Sequence, residues 1–284
     1  MYQATFKKRI KVLMYATLVL WSIFAMFPFL WAFVTSFKTD QDVVNGATYF
    51  PGIDFKPVLS AWTNLFGGES IPIGGPYLNT VVISITSSLF AMMIGSLAAY
   101  GLSRFRFKLG RFGNDDISFW FISLRIMPAV VIAIPYFVMF NSLRLLDTQI
   151  SLIIVYIGYN LPLVVWLMKD FFDNIPSELD EAAIVDGCSH FGAFFRIVVP
   201  LSKSGLLVTF LFCIIFSWSE FIFALILTIN KSQTLPLVII GRASTRIPWW
   251  EISAAALLSI LPVAVLAFVI ERYMIKGTLM GSFR

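Results

Sequence analysis

Long apolar stretches, separated by shorter polar intervals, run along the whole of this chain of 284 residues. An α-helix rises about 1.5 Å per residue, so about 20 apolar residues are needed to cross a hydrocarbon core of roughly 30 Å. Six stretches have about that length, which predicts an all-α membrane protein with six transmembrane helices in a single domain, 1–284. The helices are expected at about 12–34, 77–101, 117–140, 150–168, 205–229 and 252–270.

The composition agrees with the hydropathy pattern. Hydrophobic residues make up 58% of the chain and charged residues 13%, and the mean hydropathy is +0.84. Soluble globular domains carry about a quarter charged residues, so this class is excluded. The lone histidine, His190, has no metal-ligand partner at a usable spacing. Cys188 lies in a polar loop and Cys213 in an apolar stretch, so we expect no disulfide between them.

The basic residues predict the orientation of the helices. With a cytoplasmic N-terminus, the inside segments carry 14 Lys and Arg residues and the outside segments carry six. Cytoplasmic segments of membrane proteins are enriched in these residues. We therefore expect both termini and the polar loop 169–204 in the cytoplasm.

The loop 169–204 contains a spaced motif. Glu181-Ala182-Ala183 is followed by Gly187 four residues later and, after nine further residues, by Ile197-Val198-Val199-Pro200. A segment this polar cannot lie in hydrocarbon, so it must fold at the membrane surface, where a soluble partner can reach it. The spacing resembles the EAA loop of permease subunits in binding-protein-dependent ABC importers, with Val199 where that family has Leu.

This resemblance implies a type I ABC importer permease fold with a cytoplasmic coupling helix that docks on a separate ATPase. The local sequence is consistent with a short helix, because Ser177 and Asp180 form a capping-box-like pair and Gly187 permits the left-handed conformation that ends a helix. The ATPase-coupling residues that the resemblance implies are Glu181, Ala182, Ala183, Gly187, Ile197 and Pro200.

Other segments resemble the carbohydrate importers of this family. They include the end of the second apolar stretch with Tyr100 and Arg104, the turn Leu146-Asp147-Thr148, and the tail 272–277. Ser217 to Phe221 is similar to a Trp-Asn-Glu-Phe sequence of sugar permeases, with Ser219 replacing Asn. Tyr100 and Arg104 are equally well explained as anchors at the lipid headgroups. From the first apolar stretch to Gly277, the chain resembles the second, smaller permease of maltose-type transporters, and beyond Gly277 the resemblance is looser.

Two formal charges, Arg125 and Glu220, lie within the predicted helices. A charge at mid-bilayer costs about 2.5 to 3.5 kcal/mol on insertion scales, so such residues normally face the bundle interior or a wet cavity. At about 1.5 Å per residue, the two lie at nearly the same depth. We expect them either to pair or to share one polar cavity on the translocation path, and the sequence leaves open whether they bind each other or the substrate.

Aromatic and amide side chains near that depth complete a candidate translocation path. Sugars offer hydroxyl groups for hydrogen bonds and C–H faces that pack on aromatic rings. Packing of the helices against one another would explain the same residues. The candidates are Arg125, Glu220, Asn160, Tyr156, Tyr159 and Trp218.

The chain contains no G-x-x-x-x-G-K-[S/T] sequence and no catalytic constellation, so we expect a transport subunit and not an enzyme. No cofactor is expected on this chain. The resemblance implies the partners: a second related permease subunit, an ATPase homodimer that binds ATP and Mg, and a periplasmic or lipid-tethered solute-binding protein. It also implies a multi-pass protein of the bacterial cytoplasmic (inner) membrane.

The resulting interpretation is a membrane-spanning subunit of an ATP-driven ABC importer. It would translocate a carbohydrate, meaning a sugar, polyol or sugar derivative, into the cytoplasm by alternating access. The alternative is an ion-gradient-driven secondary transporter that uses Arg125 and Glu220, but it leaves the motif-bearing segment 177–200 unexplained. The sequence does not identify the sugar, the partner that sets specificity, or any contact of the C-terminal tail with the ATPase.

Overall fold

The computed structural model describes residues 2–44, 48–67, 73–108, 110–243 and 248–281. Within these ranges the regular structure is helical, apart from one bridge between Pro51 and Phe55, and this confirms the all-α prediction. The helices in chain order are α1 Tyr2–Thr35, α2 Asp40–Val44, α3 Ser60–Gly67, α4 Gly74–Arg104, α5 Asn114–Leu124, α6 Ala129–Ser142, α7 Gln149–Asp173, α8 Glu178–Val185, α9 His190–Ala193, α10 Val199–Leu201, α11 Lys203–Trp218, α12 Ile222–Leu227, α13 Leu235–Ala243 and α14 Trp249–Gly281, with a π-helical turn Phe194–Val198 between α9 and α10.

Four helices in the described ranges are long and apolar enough to cross a membrane by themselves. They are Ile10–Thr35 within α1, all of α4 and α7, and Trp249–Arg272 within α14. Two further crossings exist only if a bent pair of helices counts as one: α5 with α6 at 82°, and His190–Leu201 with α11 at 83°. Of the six apolar stretches, four therefore correspond to single long helices, 117–140 corresponds to the bent pair α5 and α6, and 205–229 begins in α11.

The apolar stretch 117–140 is interrupted at residues 125–128, where α5 ends and α6 begins. The N–H groups of Arg125, Ile126 and Met127 each bond to the carbonyl three residues earlier, which tightens the last turn of α5. Pro128 then adopts ψ 130° and leaves the helical conformation. Because proline disfavours a helical conformation in the residue before it and has no N–H to donate, the helix stops here and restarts in a new direction.

The apolar stretch 205–229 is also divided, into α11 and α12, with Ser219 to Phe221 between them. The carboxylate of Glu220 accepts hydrogen bonds from the backbone N–H groups of Phe223 (2.9 Å) and Ala224 (3.3 Å). The first turn of a helix has N–H groups without a helical partner, so Glu220 stabilises the start of α12. A charge within the apolar stretch thus coincides with the second break.

The helices divide into two compact units, Met1–Ile73 with Ile239–Ile260, and Gly74–Val238 with Leu261–Arg284. In the second unit, α4, α7 and α11 pack closely, as the many small residues of the second apolar stretch predict. A Cβ atom at Gly95 would lie 2.6 Å from Cγ1 of Val164. Glycine is therefore required at residue 95 for α4 to approach α7 this closely.

In the first unit, Lys38 follows α1 and is buried. Its Nζ donates to the carbonyl of Thr48 (2.6 Å) and lies 4.4 Å from the ring centre of Trp31. Asn64 of α3 donates to Oε1 of Glu251 at the start of α14 (2.8 Å). These contacts join α1, the segment after α2, α3 and the start of α14 within this unit.

We predict that Gly95→Ala destabilises the protein by about 1–3 kcal/mol, because the added methyl group overpacks the α4–α7 contact. Gly101→Ala is the matched control: it lies in the same helix, and its nearest neighbour for a Cβ is 4.0 Å away. Thermal unfolding in detergent measures both. Adding Val164→Ala to Gly95→Ala should restore stability, and equal melting temperatures for Gly95→Ala and Gly101→Ala would contradict the prediction.

Candidate functional site

The loop between α7 and α11 folds into a helix, a sharp turn and a second helical segment. α8 ends at Val185, and two residues later Gly187 has a φ of +88°, which lies in the left-handed region. The N–H of Gly187 bonds to the carbonyl of Ile184 (3.0 Å), and the N–H of Cys188 bonds to that of Ala183 (2.9 Å). This pair of bonds is the Schellman arrangement, which favours glycine at its left-handed position. The expected role of Gly187 as the turn residue agrees with this geometry.

The second helical segment starts at Ser189, whose Oγ accepts a hydrogen bond from the N–H of Gly192 (3.1 Å). This N-cap begins α9 directly after the Gly187 turn. The segment continues through the π-helical turn, which contains Ile197, and through α10, which contains Pro200. Ile197 is half-buried and Pro200 is exposed.

The predicted coupling residues of α8 divide between the interior and the surface. Ala183 is buried, whereas Glu181 and Ala182 are exposed. Several large apolar side chains are also exposed in this region, including Val185 at 86% and Phe191 at 67%. Exposed apolar groups on a rigid helix and turn are typical of a protein-binding surface. We call the exposed residues Glu181, Ala182, Val185 and Phe191 the coupling surface.

The expected capping pair of Ser177 and Asp180 is wrong, because the Ser177 side chain makes no capping bond. Asp180 is buried and forms an ion pair with Arg104, the last residue of α4. Arg104 also donates to the carbonyls of Phe172 (3.1 Å) and Ile175 (3.0 Å) at the end of α7. One arginine therefore connects α4, α7 and α8, and its side chain is too buried to act as the headgroup anchor that the sequence allowed.

Arg125 lies at the break between α5 and α6. Its Nη1 donates to the carbonyl of Tyr159 (3.1 Å), and its guanidinium lies 4.7 Å from the ring centre of Tyr159 and 4.1 Å from that of Phe216. It lines a cavity of 270 Å³ together with Tyr159, Tyr136 and Phe223. The structure thus places Arg125 and Tyr159, two of the predicted path residues, at one cavity.

Glu220 does not pair with Arg125. No ion pair joins them within the described residues, and Glu220 is not among those lining the cavity. Its carboxylate accepts from the hydroxyl of Tyr156 (2.7 Å) in addition to the two N–H groups of α12. The buried Tyr156 and the half-buried Glu220 thus form a hydrogen-bonded pair between α7 and the start of α12, consistent with a structural role.

Two other predicted path residues lie in the helix packing. The Nδ2 of Asn160 donates to the hydroxyl of Ser217 (2.8 Å), and Asn160 is fully buried. The ring of Trp218 is buried and meets the ring of Tyr77 edge-on, with centroids 5.6 Å apart. Asn160, Trp218 and Tyr156 therefore pack helices in this conformation and do not line the cavity beside Arg125.

A further organising residue is Asp147, in the turn between α6 and α7. Its carboxylate accepts from the backbone N–H groups of residues 229–232 at 3.0 to 3.2 Å. Desolvation by partial burial acts to raise its pKa, but these four donors outweigh it and hold the pKa of Asp147 at about 2. The resemblance of this turn to sugar importers drew attention to Asp147, but its backbone partners lie 82 to 85 positions away and follow no sequence pattern.

Residues 91–279 match the family described as the binding-protein-dependent transport system inner membrane component. The chain belongs to this family. The match includes α8, Gly187, the cavity at Arg125 and Asp147. The protein is therefore a multi-pass membrane permease.

The permease is similar over nearly its whole length to several known proteins. A probable ABC transporter permease of Sinorhizobium fredii is 34% identical, over 94% of this chain and 95% of the relative. The trehalose/maltose transport system permease MalG of Thermococcus litoralis is 28% identical, over 96% of this chain and 97% of its own. The chain is thus an ABC transporter permease, a transport subunit and not an enzyme, and the predicted resemblance to sugar-importer permeases is confirmed.

A solved structure has the same fold. It belongs to a bacterial ABC transporter involved in the import of the acidic polysaccharide alginate. The TM-score is 0.76 at 21% sequence identity, over 94% of this permease and 97% of the other chain. This likeness confirms the predicted ABC importer permease fold.

We predict that Asp147→Ala lowers the stability of the permease by about 1–3 kcal/mol at neutral pH, because a charged acceptor of several N–H groups is lost. The pKa of Asp147 is depressed from 3.8 to about 2, so its contribution is complete above pH 4 and is lost as the pH falls towards 2. Thermal unfolding at several pH values measures this. The difference between wild type and Asp147→Ala should shrink on acidification, whereas Asp40→Ala, at an exposed carboxylate, should change little.

We also predict that Arg104→Gln destabilises the permease by about 3–5 kcal/mol, because it leaves the buried carboxylate of Asp180 without its partner. The double variant Arg104→Gln with Asp180→Asn should lose less than the sum of the two single losses. Lys169→Gln is the control, since its ion-pair partners Asp115 and Asp173 are 96% and 41% exposed and such pairs contribute little. Thermal unfolding that shows strictly additive losses would contradict a direct Arg104–Asp180 interaction.

Proposed function

We propose that this permease is one of two membrane-spanning subunits of an ATP-driven importer that moves a carbohydrate into the cytoplasm by alternating access. The observation that carries the proposal is the α8–Gly187–α9 element. It presents exposed side chains on one side and is tied by Arg104 to the ends of α4 and α7 on the other. A partner that moves the coupling surface would therefore move the transmembrane helices with it.

The energy for transport comes from another chain in this proposal. The sequence has no phosphate-binding loop of the G-x-x-x-x-G-K-[S/T] type, so ATP and Mg would bind to a separate ATPase homodimer. The other partners are a second related permease and a periplasmic or lipid-tethered solute-binding protein. The family description, which refers to binding-protein-dependent transport, supports this assembly.

The carbohydrate class rests on the relatives and on the cavity. The named relatives act on trehalose and maltose in one case and on alginate in the other. The rings of Tyr136, Tyr159 and Phe223 provide apolar faces of the kind that sugars pack against. Trehalose and maltose are neutral and alginate is acidic, so the relatives leave the charge of the substrate open.

The orientation completes the proposal. The excess of Lys and Arg in the predicted inside segments supports cytoplasmic termini and a cytoplasmic coupling surface in the bacterial inner membrane. The secondary-transporter alternative is not favoured. That mechanism would use Glu220 as its ion-coupled carboxylate. In the structure this carboxylate already accepts hydrogen bonds from Tyr156 and from the first turn of α12.

We predict that Glu181→Lys abolishes stimulation of the ATPase by the loaded binding protein, because it reverses a charge on the coupling surface. The assembled complex is purified with its ATPase, and ATP hydrolysis is measured with and without binding protein and sugar. Asp170→Lys is the matched control: it reverses an exposed charge in α7, outside the coupling surface. Full stimulation of ATP hydrolysis in the Glu181→Lys complex would show that residue 181 has no role in coupling. Failure of any ATPase to associate with the wild-type permease would reject the importer itself.

A further inference from the structure

Arg125 is a cation without a carboxylate partner among the described residues. The ion pairs there join Arg104 to Asp180, and Lys169 to Asp115 and Asp173. A guanidinium has five N–H donors, and one of those of Arg125 bonds to the carbonyl of Tyr159. The remaining donors have no acceptor within the described part of the chain. Arg125 can therefore bind a further group that supplies oxygen acceptors.

The acidic group at similar depth is not available to Arg125. Both oxygens of Glu220 already accept hydrogen bonds, Oε1 from the N–H of Phe223 and Oε2 from the hydroxyl of Tyr156 and the N–H of Ala224. Releasing this carboxylate would leave buried donors unpaired. The positive charge of Arg125 is thus not balanced by the described residues of this chain.

The cavity beside Arg125 has the size and lining for a sugar ring. Its volume of 270 Å³ is near the lower end of small-molecule pockets, which begin at about 300 Å³. Tyr136, Tyr159 and Phe223 contribute aromatic side chains, and Arg125 is the one charged residue among the described residues that line it. The combination of flat apolar faces with a single fixed charge suits a ring that carries one ionised substituent.

The position of the cavity favours access to the translocation path. Arg125 lies at the 82° bend between α5 and α6, within a stretch apolar enough to cross the membrane. Irregular backbone at membrane depth is tolerated where it is buried in protein or lines a water-filled cavity. Interrupted helices near the middle of the membrane form the substrate sites of many transporters. The break thus puts the unpaired charge where a passing solute can reach it.

We propose that Arg125 and this cavity bind the negatively charged group of an acidic carbohydrate, such as the carboxylate of a uronic acid, during its passage. The planar guanidinium matches a carboxylate with two parallel hydrogen bonds. A neutral sugar would leave the charge unbalanced in a site of low polarity. This inference rests on the proposed importer function and gives its substrate a charge.

The test uses the complete complex with its binding protein in proteoliposomes supplied with ATP. Uptake is measured for matched pairs, glucuronate with glucose and galacturonate with galactose, and for disaccharides that contain these units. The wild type is expected to take up at least one uronate-containing sugar in preference to its neutral counterpart. Arg125→Gln should reduce that uptake by about 10- to 100-fold at low substrate, mainly through a higher KM.

Two further variants separate binding from assembly. Arg125→Lys keeps the charge but loses the planar pair of donors, so uptake of the uronate should fall between wild type and Arg125→Gln. Arg111→Gln removes an exposed arginine that is not among the residues lining the cavity, and it should leave uptake unchanged. If Arg125→Gln does not assemble, an assembled Arg125→Lys complex with weakened uronate uptake still supports the proposal.

Three outcomes would overturn the proposal. ATP-dependent uptake of neutral sugars alone would reject the acidic substrate while leaving the importer function intact. Loss of assembly in both Arg125→Gln and Arg125→Lys would show that the guanidinium is needed for assembly of the complex and would replace the proposed substrate role with a structural one. Equal uronate uptake by wild type and Arg125→Gln would show that Arg125 does not bind the substrate. Absence of any ATP-dependent uptake would reject the proposed importer function itself. Failure of the acidic-substrate proposal can therefore be distinguished from failure of the importer function.

Discussion

Backbone hydrogen bonding in hydrocarbon is the constraint on which this structure depends. Water is not available there, so each N–H and C=O group must find a partner within the protein, and long helices such as α4 and α7 provide one for nearly every residue. The breaks at 125–128 and 219–221 are the exceptions, and each contains one of the two charges in the predicted membrane segments. Glu220 supplies acceptors for the N–H groups at the start of α12. At each break, the charged side chain and the interrupted backbone thus belong to one local structure.

The same need for hydrogen-bond partners explains how the loop 169–204 is fixed to the membrane helices. The last carbonyls of a helix have no helical partner, and Arg104 donates to that of Phe172 near the end of α7 and to that of Ile175 just beyond it. With its remaining donors it binds Asp180 in α8. Because these bonds are shielded from water, they are stronger than equivalent surface contacts. One side chain thereby stabilises a helix end and joins the loop to two membrane helices.

Sequence patterns predicted the features that depend on composition or on neighbouring residues. Apolar stretches located the membrane helices, and the spaced motif located the turn at Gly187, because a left-handed residue has a local preference for glycine. The breaks were not predictable from hydropathy, and proline did not identify them either, since Pro135 and Pro162 lie inside continuous helices while Pro128 begins one. The Arg104–Asp180 pair joins residues 76 positions apart, so no spacing rule could find it.

Arg125 and Glu220 looked equivalent in the sequence, yet the structure gives them opposite roles for a chemical reason. A carboxylate needs donors, and a broken helix provides them in the free N–H groups of its first turn, which is where Glu220 lies. A guanidinium needs acceptors, but in a helical bundle nearly all carbonyls are already bonded within helices. Arg125 reaches the carbonyl of Tyr159 and otherwise only the faces of two aromatic rings. Glu220 is therefore satisfied from within the fold, while Arg125 retains the capacity to bind an acceptor from outside it.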